Sequence, residues 1–202
     1  MLVSATHLVG TPILSLQASG PIGRVTSSIV DPDTLRVIAF RVEGPGVSPA
    51  ANILDAFSVR EYSSLGMVID SADELVADDD IVKISKILAL HFDLIGLKVE
   101  SKKHSKLGHV IDYTVTPDDF SILQLIVRRP LARSLLDPQL TIHRREIVEI
   151  TDYKVIVKDD AKTIKARAEH EDFVPNFVNP FRKSEPDFAP ADTKTPADKD
   201  TE

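Results

Sequence analysis

Histidines and one acidic run are the residues of this 202-residue chain whose types could hold a metal ion. The run Asp78–Asp80 offers carboxylate oxygens, which suit Mg²⁺ or Ca²⁺. It lacks the glycine and glutamate spacing of an EF-hand loop, and aspartates favour turns. The six histidines form no HxH or HxxxH pair, whereas a zinc site needs several clustered ligands. We therefore expect a solvated turn at Asp78–Asp80 and no metal site.

Nucleophile and cofactor motifs are equally weak in the sequence. The chain has no cysteine, which excludes disulfides, thiolate zinc sites and cysteine nucleophiles. It has no G-x-S-x-G segment around a serine. The segment Gly44–Gly46 is a GPG turn without the G-x-G-x-x-G spacing that phosphate binding requires. The sequence therefore predicts a protein that is not an enzyme and takes no cofactor.

Basic side chains of the second half are the strongest functional signal. The whole chain carries a net charge of −7, but residues 89–158 carry 11 basic and nine acidic side chains, a net of +2. If a fold brings the basic residues together, they form a patch for RNA phosphates or for an acidic protein. The alternative is scattered solubility charge with nearby counter-ions. The candidate residues are Lys98, Lys102, Lys103, Lys106, Arg128, Arg129, Arg144 and Arg145.

An internal repeat must position these residues. The segment Ile22–Gly44 resembles Leu107–Arg129 at an offset of 85 residues, and identical glycine, proline and aspartate residues fall inside the apolar match. Such residues are less prone to chance matching than apolar ones, so we infer a duplicated unit of about 85 residues. The identical pairs are Gly23 and Gly108, Val25 and Val110, Pro32 and Pro117, and Asp33 and Asp118; one residue upstream of strict register, Leu8–Gly10 matches Leu94–Gly96.

Each copy has the pattern of short strands. Residues rich in valine and isoleucine flank the turn segments Asp31–Leu35 and Thr116–Phe120, which carry proline and aspartate. Further short strands follow in both copies, which favours an all-β fold of small closed barrels. The segment Lys83–Asp93 fits either one helix face or a strand running into a short linker. The later strands are expected at Ala56–Tyr62, Gly66–Ser71, Asp80–Ser85, Leu140–His143, Glu146–Thr151 and Tyr153–Lys158.

The opening G-x-x-V, the turn, the second apolar strand and the closing hairpin together resemble the PRC-barrel family. That barrel occurs in the H subunit of photosynthetic reaction centres and at the C-terminus of a ribosome maturation factor. The resemblance implies two tandem PRC-type β-barrels, at residues 1–88 and 89–158, joined by a short linker. It carries no catalytic residue. It implies a docking or assembly module for an unknown protein partner or, alternatively, an RNA- or ribosome-associated maturation factor that uses a basic face of the second barrel.

The remaining residues differ in composition. Residues 159–183 combine a short polar helix with a segment rich in phenylalanine and proline, and Phe173, Phe177 and Phe181 are expected either in a groove of the chain itself or on a partner. Residues 184–202 are too polar to order themselves, so a disordered tail is expected. The sequence shows no secretory signal and no run of about 18 apolar residues. We therefore expect a cytoplasmic protein without membrane contact.

Overall fold

Short β-strands dominate the computed structural model, which describes residues 2–130 and 138–159. The prediction of a β-rich fold is confirmed. The strands of the first half are β1 (Val3–Ser4), β2 (Pro12–Ser15), β3 (Gly20–Asp31), β4 (Arg36–Glu43), β5 (Ile53–Asp55), β6 (Glu61–Ser63), β7 (Gly66–Ile69) and β8 (Leu75–Val76). Those of the second half are β9 (Lys98–Ser101), β10 (Lys106–Val115), β11 (Ile122–Arg128), β12 (Gln139–His143), β13 (Ile147–Thr151) and β14 (Lys154–Val157). The helices are α1 (Ala5–Leu8) and α2 (Val82–Ala89), with 3₁₀ turns at Ala56–Ser58, Ala72–Glu74 and Arg144–Glu146.

The strands form two sheets with the same internal order. The first runs β6-β7-β2-β3-β4-β5, with β8 added beside β5. The second runs β13-β14-β9-β10-β11-β12, with β1 added beside β10. Each sheet contains one parallel pair, β2 with β7 and β9 with β14, while its other neighbours are antiparallel. This shared order is what a duplicated unit predicts.

Gly23 and Gly108 occupy the same close contact in the two sheets. A Cβ at Gly108 would lie 1.9 Å from the carbonyl oxygen of Arg128, and a Cβ at Gly23 would lie 2.7 Å from that of Glu43. Glu43 and Arg128 are themselves 85 residues apart. Only glycine lets the paired strands approach this closely. The repeated glycine is therefore explained by a repeated backbone contact.

The two repeats meet at their turns in a reciprocal arrangement. The amide of Val37 donates to the carbonyl of Phe120 at 3.0 Å, and the amide of Ile122 donates to the carbonyl of Leu35 at 2.9 Å. Leu35 and Phe120 are equivalent residues, and both adopt a positive φ, 48° and 53°. An apolar side chain rarely adopts this conformation. Equivalent parts of the two copies thus pair with each other across a local twofold axis.

One apolar core extends through both sheets. It includes Phe40 and Leu54 of the first sheet together with Phe120, Leu125 and Ile142 of the second half. The ring of Phe120 packs edge-on against that of Phe40, with centroids 5.0 Å apart. All described residues belong to one compact unit, Met1–Arg167. The barrel limits expected at residues 88 and 158 stay predictions.

Two strand predictions for the first copy are wrong. Val82–Ala89 is a helix, not part of a strand at Asp80–Ser85, and its buried Ile84 joins a second apolar cluster with Ile29 and Ile53. The burial of Ile84 therefore decides between the strand and the helix, both of which the sequence allows. The segment expected as a strand at Ala56–Tyr62 begins with a 3₁₀ turn, because the carboxylate of Asp55 caps the amide of Phe57. The closing hairpin of the first copy is consequently β6–β7.

Candidate docking face

A row of basic side chains crosses the exposed face of the second sheet. His109 on β10 is paired with Lys98 on β9 and with Arg128 on β11, and all three side chains are exposed. Directly paired residues of neighbouring strands point to the same side of a sheet. Their chain neighbours Val99, Val110 and Val127 are buried on the other side. The alternation of each strand therefore presents the row to solvent.

The row lies between two adjoining grooves that share His109 and Pro130. One, of about 410 Å³, is lined by Lys98 and Lys106. The other, of about 700 Å³, is lined by Arg128 and Arg129. The imidazole Nδ1 of His109 lies 3.4 Å from the carbonyl oxygen of Gly96, a contact that holds the ring over β9 and β10. The arrangement is an elongated basic surface, not an enclosed pocket.

The equivalent row of the first sheet has a different charge. There Arg24 on β3 is paired with Pro12 on β2 and with Glu43 on β4. These three residues are also exposed, but one cation and one anion leave the row without net charge. The same backbone positions thus carry a neutral row in one copy and a basic row in the other. The basic row is a property of the second copy, not of the fold.

A carboxylate lies beside the basic row. Glu100 is paired with Lys106 in the strand register, and its side chain lies 3.7 Å from the ammonium of Lys154. Within residues 2–130 and 138–159, no ion pair within 4.0 Å involves Lys98, Lys106 or Arg128. Their charges remain available to an anionic group from outside.

Lys102 and Lys103 extend this face at the β9–β10 turn. Their backbone amides are held by the carbonyl of Val157 at 3.0 Å and the carboxylate of Asp159 at 2.9 Å. The hydrogen bond from the Lys103 amide lowers the pKa of Asp159, which keeps this carboxylate charged. Both lysine side chains are exposed.

Arg144 and Arg145 lie apart from the basic row. Arg128 pairs with Gln139 at one end of β12, whereas Arg144 follows His143 at the other end, about 13 Å along the strand. The guanidinium of Arg144 donates to the carbonyls of Thr34 and Leu35, so it joins the two copies. Arg145 is exposed and lies 3.4 Å from Glu146. The eight candidate cations therefore do not form one patch, although Lys98, Lys106, Arg128 and Arg129 line adjoining grooves.

The phenylalanine candidates are not placed by the structure. Phe173, Phe177 and Phe181 lie outside the described residues, as do the predicted polar helix and the expected disordered tail.

His109 was not among the candidate cations, yet it is the central member of the row. Its signal was its place next to the apolar Val110 on a strand, but the pairing with Lys98 needed the strand register. In the part of the chain that the structure describes, no three His, Asp or Glu side chains are grouped to hold a metal ion.

Comparisons with known proteins add no relative. A scan against protein-family models gives no match to this chain, and a search of curated proteins gives none either. Within the described residues, no helix has the length and apolarity needed to cross a membrane.

Proposed function

We propose that the chain is a non-enzymatic docking protein, built from two PRC-type barrels, whose second copy binds an acidic segment of a partner protein. The observation that carries this proposal is the row Lys98–His109–Arg128. Two of its members are full charges without an ion-pair partner among the described residues, and the grooves beside it could take an extended chain.

Divergence between the copies supports a binding role for the row. Like charges close together on one face of a sheet cost stability, and Lys98 and Arg128 lie two strands apart on the same face. The first copy avoids this cost with Arg24 beside Glu43. The second copy places cations on both sides of His109. A partner that brings negative charge would offset the repulsion.

An acidic polypeptide fits the grooves better than RNA. Among the described residues, His109 is the one aromatic ring in the walls of the two grooves, which include no Phe, Tyr or Trp. Proteins that hold single-stranded RNA usually stack successive bases on several aromatic rings. Aliphatic contacts with Ile95 and Pro130 suit the side chains of a peptide.

A fluorescent peptide of alternating glutamate and alanine, 16 residues long, tests the proposal by fluorescence anisotropy at low salt. The charge-reversed variant Lys98→Glu/Arg128→Glu is expected to weaken binding at least tenfold, because two attractive charges become repulsive. Arg24→Glu, at the equivalent site of the first sheet, is the matched control and should bind like the wild type.

Two results would contradict the proposal. Equal affinity in the double variant and the wild type would show that the row is not the docking site. A structured RNA hairpin that binds more tightly than the peptide, with a steep salt dependence lost in the double variant, would instead assign the face to RNA phosphates.

A further inference from the structure

A cavity of about 570 Å³ lies where the two copies meet. Its walls come from α1, β3, the end of α2, the following segment up to Ile95, and β10. The residues at its base, Ile29, Val30, Leu94 and Tyr113, are buried, whereas Val9 and Ile95 at its rim are exposed. Sites of roughly 300–1,000 Å³ with this apolar character accommodate small organic molecules.

Equivalent residues of the two copies face this cavity together. Ser28 and Tyr113 are 85 residues apart, the offset of the repeat, and Val9 and Ile95 are 86 apart, the offset at that end. The cavity therefore spans the local twofold axis. The copies have diverged there, since one contributes a small hydroxyl side chain and the other a phenol.

Two of the five hydroxyl side chains in the cavity wall, Ser28 and Tyr113, lie beside each other. Ser28 Oγ is buried, and its hydroxyl has no side-chain partner among the described residues other than the phenol of Tyr113. Tyr113 is 3% exposed, and burial raises the pKa of its phenol to about 12, although the hydrogen bond from Ser28 partly offsets this effect. The phenol therefore stays protonated and keeps a hydrogen to donate. A buried phenol hydrogen without an acceptor costs stability, so a ligand that accepts it gains affinity.

The charged groups around the cavity disfavour an anionic ligand. Asp93 and Asp112 lie close enough to Tyr113 to raise its pKa by their charge, so they would repel a carboxylate. The guanidinium of Arg41, on the cavity wall, is already 3.3 Å from Asp78. A full charge would also lose its water against the aliphatic base.

We infer that this cavity binds a small neutral molecule with an apolar body and one carbonyl oxygen, which accepts a hydrogen bond from Tyr113. The cavity adjoins the groove beside the basic row at Ile95, but the inference does not depend on the proposed docking function.

Prodan, a neutral naphthalene ketone whose emission shifts to the blue in apolar surroundings, is a suitable probe for fluorescence titration of the full chain. We expect saturable binding of one molecule per chain. Tyr113→Phe removes only the donor hydroxyl, so it should weaken prodan binding about five- to tenfold, the size of one hydrogen bond. Tyr62→Phe, a tyrosine outside this cavity, is the matched control and should leave the affinity unchanged.

The carbonyl-free analogue 2-(dimethylamino)naphthalene separates the hydrogen bond from simple apolar partition. It should bind wild type and Tyr113→Phe equally. Amide chemical shifts of residues 27–30 and 92–95 should move on titration with prodan. Prodan affinities that are equal in the wild type and Tyr113→Phe, or shift changes confined to other residues, would overturn the inference.

Discussion

At the scale of single residues, Arg144 shows how charge can be used inside the chain instead of toward a partner. Its guanidinium spans the two copies and donates to two backbone carbonyls of the first copy's turn. The side chain is half-buried, and the Leu35 carbonyl also accepts a hydrogen bond from the Ile122 amide. The sequence suggested a docking cation at this position, because a positive charge alone does not reveal whether its acceptor is internal.

Arg144→Ala should therefore lower the free energy of unfolding by about 1.5–3 kcal/mol, the usual contribution of hydrogen bonds from a charged group. Its neighbour Arg145 is exposed and ion-paired only with Glu146, so Arg145→Ala should cost no more than about 0.5 kcal/mol. Urea denaturation of both variants measures the difference. A similar loss in the two variants would remove Arg144 from the contact between the copies.

Asp119 is a second residue whose role is local. Hydrogen bonds from the side chains of Ser121 and Thr116 lower the pKa of this carboxyl to about 2. The equivalent turn exchanges the partners, since Asp31 stands where Thr116 stands and Thr34 stands where Asp119 stands. Each turn is thus closed by a hydroxyl and a carboxylate in opposite order.

Stability should fall in acid partly because of Asp119. Its pKa is lower in the folded protein than the ordinary 3.8, so its contribution is full above about pH 4 and is lost as the pH falls toward 2. Asp119→Asn should be less stable than the wild type at pH 7 and should lose less stability between pH 5 and pH 2.5. Urea midpoints at these three pH values check this. Parallel pH profiles for the two proteins would show that Asp119 contributes nothing to acid unfolding.

At the scale of elements, Gly108 fixes the approach of β10 to β11 and so the placement of the basic row. Its φ is +144°, and a Cβ would clash with the carbonyl of Arg128. Gly108→Ala should therefore destabilise the fold by at least about 1–3 kcal/mol and separate the strands at Arg128. Gly20→Ala is the control, because a Cβ there meets nothing within 4 Å.

Amide hydrogen exchange measures this prediction locally. In Gly108→Ala, protection should decrease first at His109 and Arg128, the β10–β11 pair next to the clash. Binding of the acidic peptide should weaken as well, since Arg128 moves relative to His109. Unchanged exchange at these amides would mean that the strands tolerate a side chain at this position.

The sequence predicted the secondary-structure elements better than the tertiary contacts between them. Matching Gly, Pro and Asp residues showed the duplication, because turn and close-approach positions demand particular residue types. Helix α2 was harder, since Ile81, Ile84 and Ile87 suit a strand by propensity and a helix by spacing. The packing of Ile84 against the first sheet decides it. The basic row and the Ser28–Tyr113 pair needed the strand register and the packing of one copy on the other, which no local pattern encodes.

At the scale of the whole molecule, the shared core and the reciprocal turn contact join the copies energetically. Phe120 is the central residue of this contact between the copies. Its carbonyl accepts a hydrogen bond from the Val37 amide, and its ring packs on Phe40 and Tyr62 of the first copy. A residue of the second copy thus completes the core of the first. We expect the described part of the chain to unfold in one cooperative transition, not in two.

Phe120→Ala tests this coupling. The variant should lose about 3–5 kcal/mol, the cost of a large cavity in a packed core. Phe120→Leu keeps most of the volume and should lose clearly less. Both copies surround the space that the Phe120 ring leaves. Native-state hydrogen exchange should therefore show protection falling by the same free energy in β4 and in β11. Protection that falls in β11 while β4 keeps its wild-type value would show instead that the copies unfold independently, and that the contact at Leu35 and Phe120 joins two separately stable domains.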